Sequence, residues 1–142
     1  MAEEGGRLLG VDLGERRIGL AVGDPTGTIA SALRVLPSLS RARDVAAVSQ
    51  IAREEGARTV VVGMPVSMNG TYGPQAEKAR RFGAALEAAG VLVVYWDERL
   101  TTVEAARYLR DSGMRREKRA RTIDAAAAAL LLQNYLDYLR NR

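Results

Sequence analysis

Three carboxylates stand out from the sequence by their positions. Asp12 lies among apolar residues in "LLGVDLGERRIGLAVGD", Glu98 follows an apolar run in "YWDERLTT", and Asp124 precedes a row of alanines in "RTIDAAAAALLLQNYLD". Carboxylates that converge from separate elements hold Mg²⁺, with water and substrate phosphates completing the coordination. Two such ions activate a water and stabilise the leaving oxygen of a phosphodiester without any histidine. The three acids therefore predict a divalent-metal site.

Asp12 is the strongest of these signals. An unpaired carboxylate in a buried strand costs several kcal/mol unless a cation or a hydrogen-bond donor meets it. The apolar runs Leu8–Leu13 and Ile18–Val22 flank a short turn-like segment and predict a β-hairpin. One face of this hairpin is nearly bare, because small residues alternate with bulky ones in the second strand. The bare face leaves space beside Asp12 for a metal ion, a phosphate or a closely packed helix.

The other two acids have structural alternatives. Glu98 follows a predicted parallel strand, where ligands gather in open α/β sheets, but it also suits a surface loop. Asp124 comes two residues after the predicted N-cap Thr122, where the helix dipole favours a negative charge. First-turn aspartates are commonly simple dipole partners, so that interpretation stays open. Small residues at Ala127 and Ala128 would let the helix lie close to the sheet.

The composition narrows the chemistry. The chain has 142 residues and neither cysteine nor histidine, which excludes a thiolate nucleophile, a histidine base and a zinc site of the usual ligands. Its net charge of +4 favours a polyanionic partner, although a generally basic protein would look the same. The length suits one domain, residues 1–142. The small, acidic first residues do not form a secretory signal, so we expect a cytoplasmic protein.

The hydrophobic pattern predicts an element order of β-β-β-α-β-α-β-α-α. Besides the hairpin, the predicted strands and helices with clear bounds are Thr28–Val35, Arg41–Glu55, Thr59–Gly63, Pro74–Ala89, Val91–Tyr95 and Thr122–Leu139. A capping box at Thr101–Glu104 begins a further helix that ends near Gly113. This order predicts an α/β fold with one mixed five-stranded sheet and helices on both faces.

A basic segment lies directly before Asp124. It contains Arg115, Arg116, Lys118, Arg119 and Arg121, and the pattern places it in a loop between the last two helices. Charge runs are usually solvated loops, but one beside a carboxylate site would also attract a phosphate backbone. Arg16 and Arg17 in the hairpin turn would act in the same way. Aromatic residues are few, so we expect recognition of backbone and shape.

Four segments together resemble successive motifs of the YqgF family, also called RuvX. They are "GVDLGERRIGLAVGD", "VVVGMPVSMNGTYGPQAEKARRFGAALE", "DERLTTVEAARYL" and "TIDAAAAALLLQNYLD". The resemblance covers nearly the whole chain. It implies a ribonuclease-H-like fold, a Holliday-junction-resolvase-like protein and a nuclease of pre-16S ribosomal RNA.

Carried over by position, the resemblance implies that Asp12, Glu98 and Asp124 bind Mg²⁺ or Mn²⁺. It also implies that the loop from Gly63 to Gly70, which includes Asn69, lines the substrate groove. Related junction resolvases place an acid after the fourth strand and often a paired acid on the last helix. Here the fourth strand ends in Gly-Met-Pro and alanines follow Asp124. A second ion is therefore expected to bind weakly or only with substrate.

Three functions remain open at this point. The favoured one is a metal-dependent nuclease of structured RNA, such as precursor ribosomal RNA or ribosomal particles. The second is a resolvase that cuts branched, four-way DNA at the same site. The third is a non-hydrolytic nucleotide-binding module, because "DLGERRIG" also resembles the first phosphate loop of the actin and sugar-kinase superfamily. Those proteins need two such domains around ATP.

Overall fold

The computed structural model describes residues 7–65, 73–97 and 116–141, the last range with side chains from residue 124 onward. Eight elements lie in this part of the chain. In order they are β1 (Arg7–Leu13), β2 (Arg17–Gly23), β3 (Ala30–Pro37), α1 (Arg41–Glu54), β4 (Ala57–Met64), α2 (Pro74–Ala88), β5 (Leu92–Asp97) and α3 (Arg116–Asn141). The helix predicted after the capping box at Thr101–Glu104 lies outside the described residues.

The five strands form one mixed sheet in the order β3-β2-β1-β4-β5. β2 is antiparallel to β1 and β3, whereas β4 is parallel to β1 and β5 is parallel to β4. The tight hairpin connections produce the antiparallel pairs, and the helical connections produce the parallel ones. The predicted mixed five-stranded sheet is confirmed, with β1 at its centre.

Helices cover both faces of the sheet. On one face, α1 and α2 bury the bulky residues of the hairpin and of β4 in the larger apolar core. Its largest fully buried members include Leu9, Ile18, Leu20 and Leu86. On the other face α3 packs through Ala128, Leu132 and Leu136. A closely packed helix, α3, therefore covers the bare face of the hairpin.

Most predicted helix ends agree with the structure. α1 begins after Ser40, whose side chain accepts a hydrogen bond from the Arg43 amide, and α2 begins with Pro74 at its first turn. Gly56 and Gly90 follow α1 and α2 with φ of 70° and 93°, a left-handed conformation that glycine adopts without strain. These local signals require no knowledge of the tertiary fold.

The predicted start of the last helix at Thr122 was wrong. α3 begins at Arg116, so the basic segment from Arg116 to Arg121 is helical and is not a loop. The physical reason is that Arg, Lys, Glu and Ala are all good helix formers. The basic segment therefore extends α3 by nearly two turns before Thr122, the predicted N-cap.

The third strand begins two residues later than predicted, at Ala30 instead of Thr28. Both backbone amides before it, of Thr28 and Ile29, donate to Oδ1 of Asp24, at 2.8 and 3.1 Å. Thr26 Oγ1 donates to Oδ2 of the same carboxylate at 2.7 Å. The Asp24 side chain thus organises the β2–β3 turn and draws these amides away from the strand ladder.

These bonds give a testable pH dependence. The Thr26 hydroxyl, followed by the Thr28 and Ile29 amides, lowers the pKa of Asp24 below its ordinary 3.8. Because the folded-state pKa is lowered, the stabilisation is present above pH 3.8 and is lost as the pH falls through the folded-state value. We expect Asp24→Ala to lower the melting temperature near neutral pH, and the difference from wild type to shrink in acid.

Thermal melts over an acidic pH series would measure this effect. Asp24→Asn is the matched control, because it keeps an acceptor oxygen but does not titrate in this range. Asp24→Asn should melt at a lower temperature than wild type near neutral pH, and this difference should also shrink in acid, where the wild-type carboxylate becomes protonated. A deficit of Asp24→Ala that stays constant with pH would contradict the role assigned to the charged carboxylate.

Candidate active site

Asp12 lies on the central strand and faces α3. Its Cα partner across the β1–β2 pair is Gly19, and its side chain is half-buried. Gly10, two residues before Asp12 and on the same face, lies against the backbone of Ala128 and the side chain of Leu132 in α3. The strand therefore carries Asp12 on the face that α3 crosses.

Asp124 reaches the same place from the other end of the chain. A Cβ atom built at Gly19 would overlap the backbone carbonyl oxygen of Asp124. The helix backbone consequently rests directly on the strand at the residue that pairs with Asp12. The bare hairpin face allows this approach, as the sequence predicted, and the two carboxylate residues flank Gly19.

The sequence predicted that Asp124 lies in the first turn of its helix, where the helix dipole favours a negative charge, and this prediction was wrong. Asp124 lies eight residues after Arg116, beyond the first turn of α3, where the dipole effect of the helix end has faded. Its observed partner is a side chain: Nε of Arg17 donates to Oδ2 of Asp124 at 2.7 Å. Both groups are partly accessible, with side-chain exposures of 40% for Arg17 and 24% for Asp124.

Glu98 lies outside the described residues, directly after the last residue of β5. The end of β5 can be placed, because Asp97 is the Cα partner of Met64 at the end of β4. β1, β4 and β5 are parallel, so their carboxyl ends lie at one edge of the sheet. The clustering of all three predicted acids stays a prediction.

Carboxylate oxygens are the donors that Mg²⁺ and Mn²⁺ prefer, and Asp12 and Asp124 supply them on either side of Gly19. This donor set fits a hard divalent cation. Among residues 7–65, 73–97 and 116–141 there is no group of three or more acidic, histidine or cysteine side chains that could hold a metal by itself. A complete coordination shell would need a further ligand, such as Glu98, water or substrate.

The predicted cations have separate positions. Arg16 is exposed in the hairpin turn, whereas Arg17 at the start of β2 is engaged by Asp124. Arg115 and Asn69 lie outside the described residues. Four others belong to the first two turns of α3, and only their backbone is described: Arg116, Lys118, Arg119 and Arg121.

Sequence reasoning missed one cation near the hairpin turn. Nζ of Lys78, in α2, donates to the backbone oxygen of Gly14 at 3.3 Å. Lys78 is 64 positions from Gly14, and nothing in its local pattern distinguishes it from a solvent-facing helix residue. It adds a positive charge at the turn that also carries Arg16.

Solved structures with this fold define its class. The RuvC resolvase of Thermus thermophilus in complex with a Holliday junction aligns with a TM-score of 0.56 at 16% identity, over 96% of each chain. The Fowlpox virus resolvase aligns with a TM-score of 0.57 at 10% identity, over 94% of this chain and 98% of that one. The fold is ribonuclease-H-like, of the kind found in RuvC-like resolvases.

The chain belongs to the RuvX family, whose model is described as a Holliday junction resolvase and matches residues 6–138. A relative from Thermoanaerobacter pseudethanolicus is 44% identical over 138 residues, which cover 96% of this chain and 99% of the relative. Another from Symbiobacterium thermophilum is 46% identical over 132 residues, or 92% of each chain. Both are named "Putative pre-16S rRNA nuclease".

Proposed function

We propose that this chain is a divalent-metal-dependent nuclease that hydrolyses phosphodiester bonds in structured RNA, and that its substrate is the precursor of 16S ribosomal RNA. The observation that carries the proposal is the meeting of Asp12 and Asp124 at Gly19, on the carboxyl-terminal half of the central strand. The family and the names of the relatives support the same activity. We further propose that it acts in the cytoplasm as a single domain.

In this proposal Asp12, Glu98 and Asp124 hold Mg²⁺ or Mn²⁺, which supplies Lewis-acid stabilisation and a water nucleophile when it is bound. Asp12 lies on β1, the central strand of the sheet, which fixes the position of its backbone. Asp124 is fixed by the contact of its backbone with Gly19. The protein thus offers preorganised oxygen ligands, and the substrate phosphate completes the site.

Basic residues lie at the hairpin turn after Asp12 and in α3 before Asp124. Arg16 and Lys78 lie at the hairpin turn, and the basic residues of α3 precede Asp124 by one to two helical turns. They offset the negative charge of the site and attract the phosphate backbone. In the described residues no helix is both long and apolar enough to cross a membrane.

A second candidate function is the resolution of four-way DNA junctions. The family description and the resolvase fold favour it. Cleavage assays on precursor 16S RNA and on a four-way DNA junction, each with Mg²⁺ or Mn²⁺ and with EDTA, would separate the two functions. We expect metal-dependent cutting of the RNA. Cutting of the junction alone would identify a resolvase, and ATP binding without cleavage of either substrate would identify a nucleotide-binding module.

The basic segment gives a separate prediction. Replacement of Arg115, Arg116 and Arg119 by Gln should weaken RNA binding and reduce the slope of log affinity against log salt, by about one per lost phosphate contact. Thermal stability should hardly change, because Gln forms a helix nearly as well as Arg at the α3 positions of Arg116 and Arg119. Fluorescence anisotropy over a salt series measures both quantities.

The matched control removes three positive charges elsewhere, at Arg53, Arg58 and Arg140. Arg53 precedes β4 and Arg58 is its second residue, at the opposite end of the sheet from Asp12, and Arg140 lies in the last turn of α3. This variant should keep the salt slope of the wild type. Equal slopes for all three proteins would show that the basic segment is only a solvated part of the helix.

A further inference from the structure

We infer that Arg17 is a positioning residue that couples nucleic-acid binding to metal binding. In the free protein its guanidinium is bound to the carboxylate of Asp124. In the complex with nucleic acid the guanidinium binds a phosphate instead, and the carboxylate becomes available to the metal. This inference rests on the proposed function. Its structural basis is the 2.7 Å bond from Arg17 Nε to Asp124 Oδ2.

The carboxylate of this pair is the less mobile partner. Asp124 lies in a continuous helix, and its backbone carbonyl rests against Gly19, where no larger residue fits. Arg17 has a long side chain at the first position of β2, directly after the turn, and 40% of that side chain is exposed. Arg17 can therefore exchange the carboxylate for a phosphate by moving its own side chain, and α3 does not need to shift.

The arginine also has the chemistry for the exchange. A guanidinium carries five N–H donors in a planar fork that matches phosphate as well as carboxylate. The bond to Asp124 uses Nε. A phosphodiester close to the site therefore offers an alternative anion of equal charge, and paired N–H bonds to phosphate oxygens are among the stronger charge-assisted contacts.

The pair opposes metal binding in the free protein for two reasons. Oδ2 of Asp124 is engaged in a charge-assisted bond, and a positive group stands within 3 Å of an oxygen that a cation would need. A phosphate that takes Arg17 removes both obstacles. By reciprocity, the metal then strengthens nucleic-acid binding by the same factor, and the partly exposed ion pair sets this factor at about two- to fivefold.

Manganese titrations of the full chain without nucleic acid test the first half of the inference, with Mn²⁺ followed by electron paramagnetic resonance. Arg17→Gln should bind Mn²⁺ about two- to fivefold more tightly than wild type, which is the range set by a partly exposed ion pair. Asp124→Asn should bind it more weakly than wild type. Arg34→Gln is the matched control, since Arg34 is exposed on β3 and pairs with Leu20, on the opposite face. It should leave Mn²⁺ affinity unchanged.

Binding of a precursor RNA fragment in EDTA tests the second half. Arg17→Gln should bind the RNA more weakly, with a salt slope lower by about one, because one phosphate contact is lost. Arg17→Lys keeps the charge without the fork and should restore the slope while recovering only part of the affinity. An ion pair that only supports the site would instead predict weaker Mn²⁺ binding when it is broken.

The outcomes separate this inference from the function on which it rests. If wild type binds Mn²⁺ and Asp124→Asn does not, but Arg17→Gln matches wild type, the metal site stands and the coupling role of Arg17 is overturned. Weaker Mn²⁺ binding by Arg17→Gln would also overturn it, since that result would make the pair a support of the site. If neither wild type nor Arg17→Gln binds Mn²⁺, both the inference and the proposed metal site fail.

Discussion

Replacement of Asp12 by Asn is expected to abolish cleavage while leaving the fold intact. Asp12 and Asp124 lie on either side of Gly19, and Asn keeps the shape of Asp12 and an acceptor oxygen while it removes one of the two negative charges. Asp12→Asn should therefore be at least as stable as wild type without metal. Cleavage should fall by roughly 10³-fold or more, since metal stabilisation of the transition state amounts to several kcal/mol and each 1.36 kcal/mol is tenfold in rate.

Thermal melts with and without Mn²⁺, together with one cleavage assay, measure these effects. Wild type should be stabilised by the ion, because a ligand that binds only the native state raises its stability, and Asp12→Asn should lose this response. Asp137→Asn is a suitable control, as Asp137 lies near the other end of α3 and contacts Gln133 and Arg140. A structural Asp12 predicts the reverse: a loss of roughly 1 to 3 kcal/mol with metal response and activity kept.

The second large effect is expected at Gly19. A methyl group there would overlap the Asp124 carbonyl oxygen, which belongs to helix backbone and has no rotamer with which to move aside. Gly19→Ala should therefore displace α3 from the sheet and cost about 3 kcal/mol or more, at the upper end of overpacking effects. The displacement also separates Asp124 from Asp12, so the Mn²⁺ affinity of the folded fraction should fall.

Gly23→Ala is the matched control for this prediction. It lies on the same face of β2, but its added Cβ would meet Leu136 Cδ1 at 3.5 Å, an ordinary van der Waals contact with a side chain. Urea unfolding of the two variants compares them under the same conditions. Equal stabilities would show that α3 does not depend on the bare surface at Gly19.

The sequence predicted the fold well because its signals are local and agree with one another. Apolar strands, proline at the start of α2 and glycines after α1 and α2 together define the alternation from which the mixed sheet follows. The small residues of β2 also predicted a bare face, and α3 covers it. The bare face was compatible with a metal, a phosphate or a helix, and only the tertiary structure distinguishes them.

The site was harder to predict because its partners are remote in sequence. Asp12 and Asp124 were identified from their unusual surroundings, but the pairing of Asp124 with Arg17 spans 107 positions. Nothing local marks Arg17 as different from Arg16 except that it opens a strand. The start of α3 was misplaced for the opposite reason: Thr122 offered a strong local cap signal, and the helix-forming residues before it outweighed that signal.

The long helix α3 has a consequence for how the protein is made. Asp12 and Asp124 stand at sequence positions 12 and 124, and they meet only when α3 docks on the hairpin. At a synthesis rate of about 5 to 20 residues per second, roughly 6 to 22 seconds separate their appearance on the ribosome. The β1–β2–β3 meander can form early from neighbouring residues, but it offers only one of the two carboxylates. The proposed metal site therefore forms only after α3 has been synthesised and has docked on the hairpin, so the early part of a nascent chain carries Asp12 without its partner acid.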